Sequence, residues 1–341
     1  MNFPLAKTAA GLALTLMSAL AGAQTILKVH HFLPSGAYAH QSMIQPWCNK
    51  IEKESGGELK CQIYPAMQLG GTPPQLMDQV RDGVADIVWA VPTYTAGRYI
   101  KSEVFELPFM ATTARQGSQA LWDYIQANAM DEYVGIKPIF THITEGYLLH
   151  SNKPIKAMSD LRGMKIRTAT RISARMMNAL GSTPVQMPLG QVPDALSKGV
   201  VDGVLVPWEA LPATKIHEIV KYHTDTSRTA PRVANTIFMF GMNQAKYDSL
   251  TARQKKVIDD NSGVAASKWA GGVFDDSTEF TVKLARDRGN DISTISAQEL
   301  DRWQKATASV QANWLKDAGA NGPQLLQAAR DLLSKYASTS K

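Results

Sequence analysis

The sequence of 341 residues predicts an α/β protein of two lobes, each a parallel-rich sheet flanked by helices, with long helices bridging the lobes. Strand-like and helix-like segments alternate along the chain, which is typical of parallel βαβ units. A helix, a glycine, Val-x-Asp and a buried strand occur in this order twice, at 74–92 and at 189–207. Beyond residue 244, the apolar residues have the spacing of amphipathic helices.

The repeat places one half of the chain in each lobe. In the first half, the strand-like segments LKVHHF and CQIYP precede the repeated unit, and in the second half MKIRT and PVQMP take the same positions. We predict a first lobe of residues 24–144 and about 238–275, and a second lobe of residues 145–237 and about 276–300. Residues from about 301 to 341 are predicted to form C-terminal helices packed on the lobes. Helices that pack on one lobe only are the alternative.

The first 23 residues have the pattern of a secretory signal peptide. One basic residue, Lys7, precedes an apolar run that ends in Ala-Gly-Ala at 21–23, a small-x-small cleavage site. The run is shorter than the ~20 residues that a membrane-spanning helix needs, although a transmembrane anchor is the alternative. We expect cleavage after residue 23 and a soluble, periplasmic mature chain that begins at Gln24.

The two cysteines, Cys48 and Cys61, predict a disulfide. Cys48 falls late in a predicted helix and Cys61 begins the next strand, so a glycine turn between them returns one sulfur to the other. In an oxidising compartment such a bond stabilises the fold by roughly 3 kcal/mol. Two buried free thiols are the alternative. A metal site is not expected, because two cysteines and scattered histidines lack the spacing of metal ligands.

Composition and motifs argue for a binding protein. With 44% hydrophobic and 19% charged residues the chain is an ordinary globular protein, and its net charge of +6 is spread without a basic run, so no nucleic-acid partner is predicted. The sequence has no GxSxG, no GxxxxGK[ST] and no GxGxxG between a strand and a helix. We therefore expect no cofactor and no enzyme, and an exported enzyme acting on a small acid is the alternative class.

The carboxyl ends of the predicted strands mark a cleft between the lobes, where open α/β sheets bind their ligands. Arg167 ends the first strand of the second lobe, and an unpaired guanidinium is costly to bury. We expect Arg167 to face the cleft and bind an anion, with a solvated turn as the alternative. The other residues at strand ends are His31, Phe32, Trp89, Ala90, Val206 and Trp208.

Four segments together resemble a known family. They are YPAMQLGGTPPQLMDQVRDGVADI, FELPFM, SDLRGMKIR and GVVDGVLVPW, in this order. The chain resembles, over essentially its whole mature length, the DctP-type substrate-binding subunits of tripartite ATP-independent periplasmic (TRAP) transporters. The resemblance implies the periplasmic binding protein fold. It also implies a receptor that closes on an organic acid and delivers it to the small and large membrane subunits of a TRAP permease.

The resemblance also implies site residues. The family arginine that clamps the ligand carboxylate falls on Arg167, and a guanidinium suits this role because it donates two parallel hydrogen bonds. Asn235 matches a family position that returns to the cleft, with a turn or cap residue as the alternative. Tyr147 stands where many relatives carry a second arginine, and Val91 and Val206 stand where the family is often polar.

The remaining candidates suggest the class of acid. Arg171 could be a second anion contact or a surface residue, and Tyr147, Asn235 and the Thr168 hydroxyl could hold a 2-oxo or 2-hydroxy group. The expected walls are apolar or aromatic, and their residues are Trp89, Val91, Val206, Trp208 and Phe238, while Tyr94 could either line the pocket or pack elsewhere. Such walls leave a chain of ligand hydroxyls without partners, at about 1 to 3 kcal/mol each. We predict a hydrophobic or aromatic 2-oxo or 2-hydroxy monocarboxylate, with a sugar acid or C4 dicarboxylate as the alternative.

Overall fold

The computed structural model describes residues 24–226 and 230–337, so the predicted leader lies outside the described residues. The strands are β1 (Thr25–His31), β2 (Leu59–Tyr64), β3 (Ile87–Ala90), β4 (Ile136–Ile143), β5 (Leu148–Ser151), β6 (Lys165–Thr168), β7 (Thr183–Gln186), β8 (Gly203–Val206), β9 (Tyr222–Asp225), β10 (Ile237–Asn243) and β11 (Asp291–Thr294).

The helices belong to both halves of the chain and to its C-terminal part. They are α1 (Gln45–Glu54), α2 (Leu76–Arg81), α3 (Ala114–Tyr124), α4 (Arg171–Ala179), α5 (Val192–Ser197), α6 (Ala210–Thr214), α7 (Ile216–Ile219), α8 (Gln244–Asp248), α9 (Ala252–Asp260), α10 (Gly263–Asp287), α11 (Ala297–Ala306), α12 (Ala308–Ala318) and α13 (Gly322–Ala337). Of the helices described, none is both long enough and apolar enough to span a bilayer.

The strands form two sheets, one for each half of the chain. The first has the order β2-β1-β3-β10-β4 and the second the order β11-β9-β5-β8-β6-β7. In the first, β10 runs antiparallel to both of its neighbours, and in the second β5 does the same, while the other recorded pairs are parallel. Both antiparallel strands follow a passage of the chain from one sheet to the other. The predicted class of two α/β lobes with parallel-rich sheets is confirmed.

The Val-x-Asp of the repeat has a structural role that is the same in both halves. The Asp86 carboxylate accepts the backbone N–H of Lys28 at 2.8 Å, and the Asp202 carboxylate accepts that of Lys165, also at 2.8 Å. Each aspartate therefore fixes the strand after the repeated helix, β3 or β8, beside its parallel neighbour, β1 or β6. The repeat therefore stabilises the pairing of strands in each sheet, and its aspartates lie away from the strand ends that face the other lobe.

The predicted disulfide is present. Cys48 in α1 and Cys61 in β2 are bonded, with their Cα atoms 5.6 Å apart. Gly56 and Gly57 make the turn between them with positive φ angles of 64° and 84°, which glycine adopts without steric cost. The bond ties the edge strand of the first sheet to the helix that covers it.

Three passages of the chain connect the sheets. Residues 144–147 join β4 to β5, and the chain returns to the first sheet between Asp225, which ends β9, and Ile237, which begins β10. The Tyr147 N–H donates to the Ala234 carbonyl oxygen at 2.8 Å. The third passage is α10, in which Phe274 stacks on His142 of the first sheet before the chain continues into β11 of the second. The exact division of the chain into lobes stays a prediction.

Candidate functional site

A small cavity lies where the strand ends of the two sheets meet. Its lining comes from the segment after β1, the ends of β3, β6 and β8, the passage at 144–147 and the start of β10. The lining residues are Phe32, Leu33, Trp89, Tyr94, Thr144, Tyr147, Arg167, Leu189, Val206, Pro207, Glu209 and Phe238. The cavity therefore occupies the place that the topology of two open α/β sheets predicts for a ligand.

Arg167 supplies the positive charge of this cavity. Its side chain is 1% exposed, and it donates from Nε to the Met187 carbonyl oxygen at 2.9 Å and from Nη1 to the Leu205 carbonyl oxygen at 3.3 Å. Nη2 is buried without a hydrogen-bond partner, and within residues 24–226 and 230–337 no carboxylate lies within 4.0 Å of the guanidinium. The two carbonyl groups hold the guanidinium in place and leave its charge unbalanced.

Stacked aromatic rings form the wall that the first sheet contributes. The Trp89 ring lies nearly parallel to that of Phe32 at 5.1 Å and to that of Phe238 at 4.7 Å, measured between ring centroids. The indole N–H of Trp89 donates to His142 Nε2 at 2.8 Å. Burial lowers the pKa of His142 to about 3, so this ring is neutral and can accept the bond. Trp89 is thus fixed in orientation, and together with Phe32 and Phe238 it makes this part of the lining aromatic and apolar.

Neutral hydroxyl groups complete the polar part of the lining. Burial raises the pKa of Tyr94 and that of Tyr147, and the positive charge of Arg167 offsets only part of this effect, so both phenols keep their protons. The Thr144 hydroxyl is buried and has no hydrogen-bond partner among the residues that the structure describes. These groups can donate hydrogen bonds to an anion held by Arg167.

Glu209 is the one carboxyl group among the described residues that line the cavity. It follows β8 and is 4% exposed, and its backbone N–H donates to Glu145 Oε1 at 3.2 Å. Burial raises the pKa of Glu209 to about 8 and raises that of Glu145 well above its usual range, with repulsion between the two adding to the effect on Glu145. At neutral pH both are mainly protonated, so they do not neutralise Arg167.

The structure brings six of the predicted ligand-binding residues to the cavity and places seven elsewhere. The six are Phe32, Trp89, Tyr147, Arg167, Val206 and Phe238, and Tyr94 joins them. The seven that do not line it are His31, Ala90, Val91, Thr168, Arg171, Trp208 and Asn235. Ala90 and Thr168 directly follow the lining residues Trp89 and Arg167 on β3 and β6, so their side chains point to the opposite faces of the sheets.

Polar partners hold three of these seven away from the cavity. His31 Nε2 lies 2.9 Å from His40 Nδ1, and the Trp208 indole N–H lies 3.4 Å from a carboxylate oxygen of Asp225. The Asn235 amide, turned so that its hydrogen bonds are satisfied, donates to the Thr144 carbonyl oxygen at 3.2 Å. Asn235 therefore supports the backbone of a lining residue without lining the cavity itself.

Arg171 is bound by carboxylates of the protein. Its Nε lies 2.7 and 2.8 Å from the two Glu103 oxygens, its Nη2 also contacts Glu103, and its Nη1 lies 2.8 Å from Asp317. Glu103 belongs to the first half of the chain, Arg171 begins α4 beside the second sheet, and Asp317 lies in α12. The ion pair thus joins three separate parts of the fold.

Sequence reasoning missed five lining residues. Leu33 and Pro207 adjoin residues that the strand-end argument had identified, Leu189 follows the predicted strand PVQMP, and Thr144 lies in the passage between the sheets. Glu209 comes only three residues after Val206, so extending the same argument along the loop would have found it.

The family model described as "Bacterial extracellular solute-binding protein, family 7" (DctP) matches residues 29–317. The chain belongs to this family. A TRAP solute-binding protein from Rhodoferax ferrireducens T118, crystallised with copurified benzoate, is 39% identical to it, with a TM-score of 0.92 and with 93% of this chain and 100% of that chain covered.

Two further relatives of this DctP protein show the range of the family. A marine metagenome TRAP solute-binding protein specific for aromatic acid ligands, crystallised with 3-hydroxybenzoate, is 45% identical, with a TM-score of 0.90 and coverage of 92% of this chain and 99% of that chain. The ectoine/5-hydroxyectoine-binding periplasmic protein UehA of Ruegeria pomeroyi is 25% identical over 293 residues, covering 82% of each chain. The predicted family is confirmed, and the chain is a TRAP solute-binding receptor that works with membrane permease subunits.

Proposed function

We propose that this receptor binds an aromatic monocarboxylate in the cavity between its sheets and delivers it to a TRAP permease. One observation carries the proposal. Arg167, a buried guanidinium without a carboxylate partner among the described residues, lines the same cavity as the stacked rings of Phe32, Trp89 and Phe238.

The charge of Arg167 accounts for the carboxylate. A buried charge without a partner is unfavourable, and a bound carboxylate removes this cost by accepting hydrogen bonds from the guanidinium. Nη2 is the nitrogen that the described residues leave without a partner, and the Thr144 hydroxyl is a second donor in the same lining. The ligand then supplies the negative charge that the described part of the chain does not.

The aromatic wall accounts for the rest of the ligand. A flat ring can stack on Trp89 or its neighbours, whereas the hydroxyl chain of a sugar acid would lose its hydrogen bonds to water against them. A second carboxylate would find no second cation, since Arg167 is the only Lys, Arg or His side chain in the described lining. The benzoate and 3-hydroxybenzoate complexes of relatives at 39% and 45% identity support the same class of ligand.

A 2-oxo or 2-hydroxy group is not part of the proposal. The residues expected to hold such a group included Asn235 and Thr168, and neither lines the cavity. Tyr147 remains as a donor, and it can serve the carboxylate itself. The proposed class of ligand therefore includes aromatic acids whose carboxylate is attached directly to the ring.

Calorimetry with a panel of acids tests this function. Benzoate, phenylacetate and phenylpyruvate represent aromatic acids, and succinate and glucuronate represent the dicarboxylates and sugar acids. We expect at least one aromatic acid to bind with micromolar or tighter affinity and to be recovered unchanged after incubation, as for a receptor without enzymatic activity. Tight binding of succinate or glucuronate with no response to any aromatic acid would overturn the aromatic assignment.

Export through a cleaved leader belongs to the same proposal. The family is extracellular, which supports a periplasmic location. The Cys48–Cys61 disulfide suits an oxidising compartment. The intact mass of protein from the periplasm should correspond to a chain that begins at Gln24 and lacks the two thiol hydrogens. A mass that includes residues 1–23 would contradict cleavage.

A further inference from the structure

We propose that Glu209 determines specificity by exchanging a hydrogen bond with a ring hydroxyl of the ligand, so that the receptor prefers hydroxylated aromatic acids to unsubstituted ones. The inference rests on the proposed function, because it concerns a second polar group on a ligand whose carboxylate is bound by Arg167. It names the substrate class more narrowly than the proposed function does.

The contacts of the buried glutamates single out Glu209. Glu103 is bound by Arg171, and Glu106 accepts the Thr93 hydroxyl at 2.6 Å. Glu106 Oε2 and Glu145 Oε2 are buried without a partner among the described residues, but neither residue lines the cavity. Glu209 is 4% exposed and does line it, and its carboxyl group has neither a hydrogen bond nor an ion pair within the part of the chain that the structure describes. Buried polar groups in native proteins nearly always have a partner, so a ligand atom is the natural partner here.

Glu145 bonds to the backbone of Glu209 and not to its carboxyl group. Glu145 accepts the backbone N–H of Glu209, which fixes the position of the main chain and leaves the Glu209 carboxyl to the cavity. The segment that carries Glu209 also carries Val206 and Pro207, two apolar members of the lining. A single polar group on an otherwise apolar segment is the arrangement that gives a binding site its selectivity.

The protonation of Glu209 indicates a hydroxyl as its partner. Because burial raises its pKa to about 8, the group is mainly a neutral carboxylic acid at pH 7, which can both donate and accept a hydrogen bond. A hydroxyl has the same two capacities. A second carboxylate on the ligand could share the Glu209 proton, but it would add a negative charge to the cavity. Among the described residues the lining contains no further cation to balance that charge.

Calorimetric titration of benzoate, 3-hydroxybenzoate and 4-hydroxybenzoate tests the inference. In the unmodified receptor at pH 7, at least one hydroxybenzoate should bind about three- to tenfold more tightly than benzoate, the gain expected of one net hydrogen bond. Glu209→Met, which keeps the length of the side chain but has no polar oxygen, should bring this ratio close to one. Glu209→Gln should preserve most of it, because the amide also donates and accepts.

The ratio is the measured quantity, so a general loss of affinity in a variant cancels. Glu106→Gln is the matched control, because the Glu106 carboxyl is also buried with a pKa of about 8 but does not line the cavity, and its ratio should equal that of the unmodified receptor. Glu209→Ala replaces Glu209→Met if the latter does not fold.

The outcomes separate this inference from the proposed function. If benzoate binds but neither hydroxybenzoate binds more tightly, or if the apolar Glu209 variants keep the preference, the role of Glu209 is wrong and the aromatic-acid receptor stands. If neither benzoate nor any hydroxybenzoate binds, this inference fails, whereas the proposed function fails only if phenylacetate and phenylpyruvate do not bind either.

Discussion

Arg167 lies near the end of a strand and Arg171 begins the helix that follows it, yet the two arginines differ in what balances their charge. Arg171 is bound by Glu103 and Asp317, whereas Arg167 is held by two backbone carbonyl groups and has no carboxylate within ion-pair distance among the described residues. We propose that the role of each arginine follows from this difference. Where the protein supplies the carboxylate, the arginine stabilises the fold, and where it does not, the arginine is available to a ligand.

The difference also separates binding from stability. A buried charge without a partner lowers the stability of the folded protein. Removing one partner of a buried ion pair creates such a charge, because the other partner stays buried. The two arginines should therefore respond in opposite ways to the same substitution. The predictions that follow use this contrast, beginning with the largest effect.

Arg167→Met should abolish most of the affinity for an aromatic acid. Loss of the buried charge-assisted hydrogen bonds should weaken binding by about 3 kcal/mol or more, roughly a hundredfold in the dissociation constant. Without ligand, the free energy of unfolding should stay the same or rise, because the substitution removes an unbalanced buried charge. Calorimetry and denaturant unfolding measure the two quantities. A folded variant that binds the acid as tightly as the unmodified receptor would show that the carboxylate lies elsewhere.

Arg171→Met should have the opposite pattern, with a large effect on stability. Glu103 is fully buried and would lose its cation, so the free energy of unfolding should fall by about 2 to 3 kcal/mol, a value reduced for the partial exposure of Arg171. The double variant Arg171→Met with Glu103→Leu removes both charges and should recover part of the loss. Equal stability of the single variant and the unmodified receptor in urea would contradict a structural role for this ion pair.

The buried glutamates without cations should make stability depend on pH. The pKa of Glu106 and that of Glu209 are each raised by burial from 4.5 to about 8, so between these values the unfolded chain loses protons that the folded protein keeps. Their contribution to stability is complete below about pH 4.5 and is lost as the pH rises to about 8, at roughly 1.4 kcal/mol per pH unit for each group.

The glutamate-to-glutamine variants isolate this effect. The free energy of unfolding should fall less steeply between pH 5 and 8 in Glu209→Gln than in the unmodified receptor, and still less steeply in Glu106→Gln with Glu209→Gln. Comparing slopes cancels the contributions of the buried histidines, which titrate in all three proteins. Parallel slopes in the three proteins would mean that these carboxyl groups are ionised in the fold.

The same contrast shows how far the sequence predicts the site. The strand-end argument identifies Arg167 and Trp89, because the positions of strands and the direction of parallel sheets are encoded in local patterns. It does not separate Arg167 from Thr168 or Trp89 from Ala90, because successive side chains point to opposite faces and a shift of one residue exchanges them. Only the paired strands of the folded sheets decide which residue of each pair lines the cavity.

Ion pairs between distant segments are harder still to predict. Arg171 contacts Glu103 and Asp317, which are 68 and 146 residues away in the chain, and no local pattern links these positions. Thr144 lies in a passage without regular structure, so neither the helical nor the strand period applies to it. The fold class and the disulfide, in contrast, depend on local patterns and on the order of segments, and both are confirmed.

A crystal structure of the receptor with benzoate tests the central claim most directly, namely that a ligand supplies the carboxylate that Arg167 lacks. The account predicts that the benzoate carboxylate lies about 2.8 Å from Arg167 Nη2, with the ring against Trp89 and its neighbours and Arg171 still bound to Glu103. A benzoate whose carboxylate is bound by other groups, with the Arg167 guanidinium still bonded only to backbone carbonyl oxygens, would contradict it.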